Sequence, residues 1–198
     1  MNKLKFIFLG LSDYQKFLDL QDRLTKGKGE GNYIIITEHY PVYTVGKRIN
    51  KEDLPKKDLA PLIKLNRGGG ITFHGFNQIV VYPILDLRDY KLNLKKYIRL
   101  LEDIMINSLK EIGINAYRKD GLVGVFTNKG KIGFVGINIS QFITNFGFSI
   151  NYEVDKNYFY NINPCGLKDE NIANITDFSD ISKSEFINIL YKNLKKIF

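Results

Sequence analysis

The chain has 198 residues, 44% hydrophobic and 25% charged, a composition that buries one substantial core and reads as a single globular domain over residues 1–198. Its 29 Lys and Arg against 21 Asp and Glu give a net charge of +8, which steers acidic partners toward the surface. A lone cysteine excludes an internal disulfide, and with only two histidines beside it no structural metal site is expected. No apolar run reaches membrane length and no leader cleavage site follows residues 1–9, so a cytoplasmic protein is expected.

In chain order, residues 3–9 read as a strand, and Ser12-Asp13-Tyr14-Gln15 has the capping-box spacing that opens a helix with Tyr14, Phe17, Leu18 and Leu24 on one side. Residues 33–37 and 42–45 are β-like, and the charged residues 47–61 read as a loop. Residues 78–87 form a nearly continuous apolar strand, the pattern of a strand covered on both faces. Leu94, Tyr97, Ile98, Leu101, Ile104, Met105, Leu109 and Ile112 keep helical spacing, with Asn93 as N-cap. Three β segments follow, at 122–127, 132–140 and 143–154, the first two joined by the tight turn Asn128-Lys129-Gly130. Ser182-Lys183-Ser184-Glu185 then caps a last helix bearing Phe186, Ile189, Leu190 and Leu194. The sum is an α+β fold: a mixed, largely antiparallel sheet flanked by helices, without strict βαβ alternation and without a phosphate loop.

Three segments carry chemistry. Arg67-Gly68-Gly69-Gly70-Ile71-Thr72-Phe73-His74-Gly75 puts three residues lacking a Cβ between a cation and an imidazole, which lets backbone approach a ligand closely; a hairpin turn is the plainer reading. Asn163-Pro164-Cys165-Gly166 presents the lone thiol on a turn. A free thiol with pKa near ~8.5 needs a base or a cation to ionise at neutral pH. Both His74 and Lys131 qualify, because an ammonium at ~4 Å favours the thiolate by roughly 4 kcal/mol at an effective dielectric of about 20. Spacing does not choose between them. Gly133-Phe134-Val135-Gly136 and Phe146-Gly147-Phe148-Ser149 set small residues among apolar ones on adjacent strands, either opening a slot for an aliphatic chain or marking close strand packing.

Together and in this order the segments resemble the lipoyl(octanoyl) transferases, a family related in fold to the catalytic domain of biotin and lipoate protein ligases. The resemblance spans residues 33–169 and rests on Glu38-His39-Tyr40-Pro41-Val42-Tyr43-Thr44-Val45-Gly46, the glycine-run segment, Tyr82-Pro83, Lys131-Ile132-Gly133-Phe134-Val135-Gly136 and Pro164-Cys165-Gly166. It implies a catalytic pair, Cys165 as acyl-thioester nucleophile and Lys131 as the residue that lowers its pKa. It also implies substrate contacts from Arg67, Gly68, Gly69, Gly70, Ile71, Thr72, Phe73 and His74, from Phe134, Val135 and Gly136, and from Gly147, Phe148 and Ser149. Where the family usually has Gly-Pro-Gly-Gln after the histidine, this chain has Gly75-Phe76-Asn77-Gln78.

The implied reaction moves an octanoyl group from octanoyl-acyl carrier protein to a lysine of lipoyl domains, those of 2-oxoacid dehydrogenase E2 subunits and the glycine cleavage H protein. No cofactor, nucleic acid or membrane is implied. Backbone N–H groups near Gly75 or Gly166 are candidates for holding the oxyanion. Two rivals share the chemistry's target: an ATP-dependent lipoate or octanoate ligase, which has no need of Pro-Cys-Gly, and an amidotransferase that relays octanoyl groups between lipoyl proteins. A nucleic-acid-binding module would use the positive charge, but the basic residues are not interleaved with aromatics in a binding motif.

Overall fold

The computed structural model describes residues 4–26, 31–163 and 171–198. A first strand, β1 (Leu4–Ser12), leads into helix α1 (Tyr14–Lys26) and returns as β2 (Asn32–His39), parallel to β1. The capping residue is Asp13, whose Oδ1 accepts the Lys16 N–H at 3.0 Å. Ser12, the expected cap, stays in the strand in register with His39, and its hydroxyl is taken by Thr37 at 2.8 Å.

The chain then builds β3 (Val42–Val45), β4 (Leu62–Lys64) and β5 (Ile71–His74), followed by β6 (Gln78–Ile84) and helix α2 (Leu94–Lys110). Within the long loop a single 3-10 turn, Lys51–Asp53, is capped by Asn50. Asn93 caps α2, its side chain accepting the Lys96 N–H. The meander follows as β7 (Val125–Thr127), β8 (Gly130–Ser140) and β9 (Ile143–Asn151), then a short helix α3 (Asn157–Tyr160) and the final helix α4 (Lys183–Ile197), whose capping box uses Ser182 and Glu185.

There are two sheets among the described residues where one was expected. The larger runs β1-β2-β6-β9-β8-β7, and the smaller β4-β3-β5; each has one parallel pair and is otherwise antiparallel. Cores on both faces explain why the middle of β2 and most of β6 are apolar without alternation. Ile34, Ile36, Ile79 and Val81 face a core completed by α2 and α4, while Tyr33, Ile35, Val80 and Tyr82 face Tyr14 and Phe17 of α1. From α4, Phe186, Leu190 and Leu194 are fully buried in the first core, each worth roughly 1.5–3 kcal/mol of hydrophobic stabilisation. The smaller sheet forms a third core, Tyr43, Val45, Ile71 and Phe73 against Phe134 and Phe159.

The candidate active site

A cavity of about 690 Å³ opens where β5, β6, β8 and β9 meet the glycine run beneath the start of α1. Arg67, Gly68, Gly69, Gly70, Thr72 and His74 line it, as do Lys131, Phe134, Val135, Gly136, Gly147, Phe148 and Ser149. Ile71 and Phe73 belong to the smaller sheet's core instead, because alternation along β5 sends Thr72 and His74 one way and their neighbours the other. Pro164, Cys165 and Gly166 lie outside the described residues.

The glycine run is pinned from two sides. The carbonyls of Arg67, Gly69 and Gly70 accept from the N–H groups of Lys47, Arg48 and Gly46, and Gly68 N–H donates to Ile137 C=O at 2.9 Å. Such closeness forbids side chains: a Cβ on Gly46 would stand 2.4 Å from the Gly69 carbonyl oxygen, and Gly69 itself has φ +83°. Arg67, 5% exposed, lies across Gly136 and donates to Thr44 C=O at 2.7 Å, Thr44 Oγ1 at 2.8 Å and Gly68 C=O at 2.9 Å. Gly147 serves close packing of strands, since a Cβ there would meet the Val81 carbonyl oxygen at 2.1 Å. The turn Gly75-Phe76-Asn77-Gln78 closes by Gln78 N–H donating to Gly75 C=O. Its third residue, Asn77, has φ +59°, a conformation asparagine tolerates better than other residues with a Cβ. Lys183 Nζ holds Asn77 Oδ1 at 2.9 Å and Glu38 at 2.7 Å, which braces the turn at its left-handed residue.

Lys131 is 3% exposed. Its ammonium donates to Val123 C=O at 2.9 Å and lies 4.9 Å from the Phe134 ring centre and 5.2 Å from that of Phe126, contacts that offset part of its desolvation. A regular strand would send Lys131 and Phe134 to opposite faces. The β7–β8 register shifts, Val125 opposite Gly133 but Phe126 opposite Lys131, and the extra residue brings the amine round to the cavity. The loop that supplies Val123 is itself anchored: Gly124 N–H donates to the buried carboxylate of Glu102 at 3.0 Å, and Arg118 braces the same carboxylate at 2.7 Å. Gly124 has φ +122°, and a Cβ would fall 2.6 Å from Gly133 O and 2.7 Å from Lys131 Cε. The substitution Gly124→Ala is therefore expected to cost about 2 kcal/mol or more and to displace the amine, read as a lower thermal midpoint together with reduced turnover. Turnover unchanged in a folded G124A protein would show that the loop does not position Lys131.

The cavity's imidazole is oriented by a chain of groups whose direction is fixed at its far end. Ala173 C=O can only accept, so Asn151 Nδ2 donates to it at 3.2 Å; Asn151 Oδ1 then accepts from Gln78 Nε2 at 2.9 Å. Gln78 Oε1 accepts from His74 Nδ1–H at 2.7 Å, which leaves the Nε2 lone pair of His74 as an acceptor. Burial, first, and the neighbouring His39 lower the His74 pKa to about 3, and burial lowers that of His39 to about 4. His39 Nδ1–H is held by Ser12 C=O at 3.1 Å, and Tyr82 O–H donates to Nε2 at 2.9 Å. Burial pushes the Tyr14 hydroxyl up to about 12, so the phenol and both imidazoles are neutral at neutral pH, beside the Arg67 guanidinium. Two hydroxyls on the cavity wall, Thr72 Oγ1 and Ser149 Oγ, are buried without a hydrogen-bond partner among the described residues, a costly state that a bound polar group relieves.

Gln78 and Asn151 were missed at the sequence level. Gln78 opens β6 and Asn151 ends β9, places where a polar residue reads as an ordinary strand boundary, yet both are fully buried. Glu102 is a similar case, one carboxylate on the buried face of α2 at 1% exposure.

The chain matches the model of the lipoyl protein ligase A/B catalytic domain over residues 13–195. It belongs to that family. An octanoyltransferase of Persephonella marina is 48% identical over 186 residues, 91% of each chain, and one of Pelobacter propionicus 35% identical over 170 residues, 84% of this chain and 81% of that one. Within the family the chain is thus an acyltransferase of the octanoyltransferase kind. The fold recurs in solved structures. A bipartite lipoate protein ligase from Thermoplasma acidophilum, studied with its E2 lipoyl domain, superposes with TM-score 0.79 at 17% identity, covering 100% of this chain and 84% of that one. A lipoate-protein ligase A bound with ATP gives 0.77 at 15%, covering 98% and 85%. Among the described residues, no helix is long and apolar enough to cross a membrane.

Proposed function

We propose that this enzyme takes an octanoyl group from octanoyl-acyl carrier protein onto Cys165 as a thioester and passes it to a lysine amine of lipoyl domains, including those of 2-oxoacid dehydrogenase E2 subunits and the glycine cleavage H protein. The observation that carries the reading is Lys131, an amine buried at the wall of a cavity lined with apolar and small residues, in a chain 48% identical over nearly its whole length to an octanoyltransferase.

Electrostatics favours an amine over the His74 imidazole as the base, a choice left open at the level of sequence. An imidazole with pKa about 3 is a poor acceptor for a thiol proton at neutral pH, and the relay through Gln78 keeps His74 neutral and oriented. Lys131 is the better partner. Its backbone N–H donates to Asn171 C=O at 2.7 Å and its C=O accepts from Ala173 N–H at 2.9 Å, so the chain six residues after Cys165 is tied to the strand that bears the amine.

In the first half-reaction the Cys165 thiolate, its proton already held on the Lys131 ammonium, attacks the carrier thioester carbon, the carbon–sulfur bond to the carrier breaks and the departing thiolate takes that proton from Lys131. In the second, the lipoyl-domain amine attacks the enzyme thioester, the carbon–sulfur bond to Cys165 breaks, and Lys131 conveys the amine's proton to the sulfur. Exchange of thioesters is close to balanced and thioester to amide is downhill, so the sequence of steps needs no ATP. That separates it from the ligase reading, for which the ligase likenesses supply only a fold.

Cys165→Ser is expected to abolish the octanoyl adduct seen by intact-mass measurement after mixing with octanoyl-acyl carrier protein. Transfer by that variant at the wild-type rate would remove the thioester from the mechanism.

A further inference from the structure

Phe146 occupies an unusual place in β9. Its φ is +59°, in the middle of a strand. Residues directly opposite in an antiparallel ladder share a face, and Phe146 stands opposite Ile137. Yet Ile137 packs into the core formed with α2 and α4, whereas Phe146 packs with Tyr14, Phe17, Val80 and Tyr82 on the α1 side. The left-handed residue has turned its ring across the sheet.

The turn leaves the Phe146 N–H without a ladder partner, and α1 supplies one. Gln21 Oε1 accepts it at 2.8 Å; Gln21 is itself 6% exposed, a polar residue on the helix's buried face. One turn on, Thr25 Oγ1 donates to Asn145 Oδ1 at 2.8 Å. A conformation that costs on the order of 1–3 kcal/mol is thus held in place from the helix.

The ring stands at one end of the cavity. The lining on β8 runs from Lys131 to Ile137, and on β9 from Ser149 back to Phe146, so Phe146 is at the end away from the amine. Six steps along the strand lead from Lys131 to Ile137, about 20 Å at the usual rise. An extended eight-carbon chain is about 10 Å long with carbon–carbon bonds of ~1.5 Å. That span accommodates the reacting thioester, the chain and a ring standing across the far end.

Resting on the proposed acyl transfer, we infer that Phe146, turned to the α1 side and held there by Gln21, closes the acyl slot and sets the length of chain the enzyme accepts. An open apolar groove separates neighbouring chain lengths only weakly, about fourfold per methylene and always in favour of the longer. A closed end reverses the sign: a methylene beyond the fitting length must displace packed atoms.

The test compares acylation rates, by intact mass, with hexanoyl, octanoyl, decanoyl and dodecanoyl carrier-protein thioesters. Phe146→Gly removes the ring and suits φ +59°; it is expected to raise the decanoyl-to-octanoyl rate ratio about tenfold or more, with hexanoyl uptake unimproved. Phe146→Asn, also compatible with that backbone, covers the case in which the glycine variant does not fold. Gln21→Leu, which frees the turned backbone, is expected to broaden the profile without abolishing uptake. A wild-type enzyme that favours decanoyl over octanoyl, or ring-less variants with the wild-type profile, would overturn the inference while leaving acyl transfer standing. Failure of the wild type to take up any chain defeats the transfer reading itself, and the length limit with it.

Discussion

Lys131→Met is expected to fold and to transfer octanoyl groups about a thousandfold more slowly, the usual scale for losing a positioned acid–base group. Methionine approximates the lysine stem in volume and suits a site between the Phe126 and Phe134 rings, and removing a buried charge spares its desolvation. Stability should therefore hold while activity falls. Lys131→Arg separates two roles. Arginine keeps a positive charge beside the thiol but does not give up a proton near neutral pH. If the amine handles protons, the arginine variant is as slow as the methionine variant, whereas near-wild-type turnover by K131R would reduce the residue to a fixed charge. Thermal midpoint and single-turnover acylation rate decide the matter together.

Acid should unfold this protein early. Both histidines are buried and neutral, with pKa values of about 4 for His39 and about 3 for His74, against an ordinary value of 6.5. A depressed histidine pKa means that the unfolded chain binds the extra protons. The stabilisation is fully present above pH 6.5 and is lost as pH falls from 6.5 through about 4 and then about 3. At ~1.4 kcal/mol per pK unit, the two groups together remove on the order of 5 kcal/mol by pH 4.5, a large share of a typical domain's stability. The thermal midpoint should drop by about 10 °C or more between pH 7 and 4.5. His74→Asn should reduce the proton uptake on unfolding in that window by about one, read from the pH slope of denaturant-derived stabilities. An unaltered slope in the variant would mean that His74 titrates normally.

Much of the architecture was legible because it rests on local rules. The spacing along α2, its Asn93 cap, the Ser182–Glu185 capping box and the meander of β7, β8 and β9 each follow from periodicity and turn chemistry within a short window. Two local readings differ from what the structure places there. Ser12 has the composition of a cap, but the strand register claims it and Asp13 takes the role. Ile71 and Phe73 sit in a segment that reads as one binding loop, yet half of it is a strand whose alternate residues belong to the core.

By itself the sequence determined the fold class, the family and the segments that meet at the cavity, since hydrophobic period, capping and motif order are all encoded by neighbours in the chain. Only the tertiary structure decided which way the deciding side chains point. An extra residue in β8 brings Lys131 to the cavity, a left-handed Phe146 crosses its sheet, and a carbonyl on a distant segment orients His74 through Asn151 and Gln78. The physical reason is shared: each depends on a partner strand, helix or carbonyl far away in the chain, and a period of two read along one strand cannot register a bulge that its neighbour imposes.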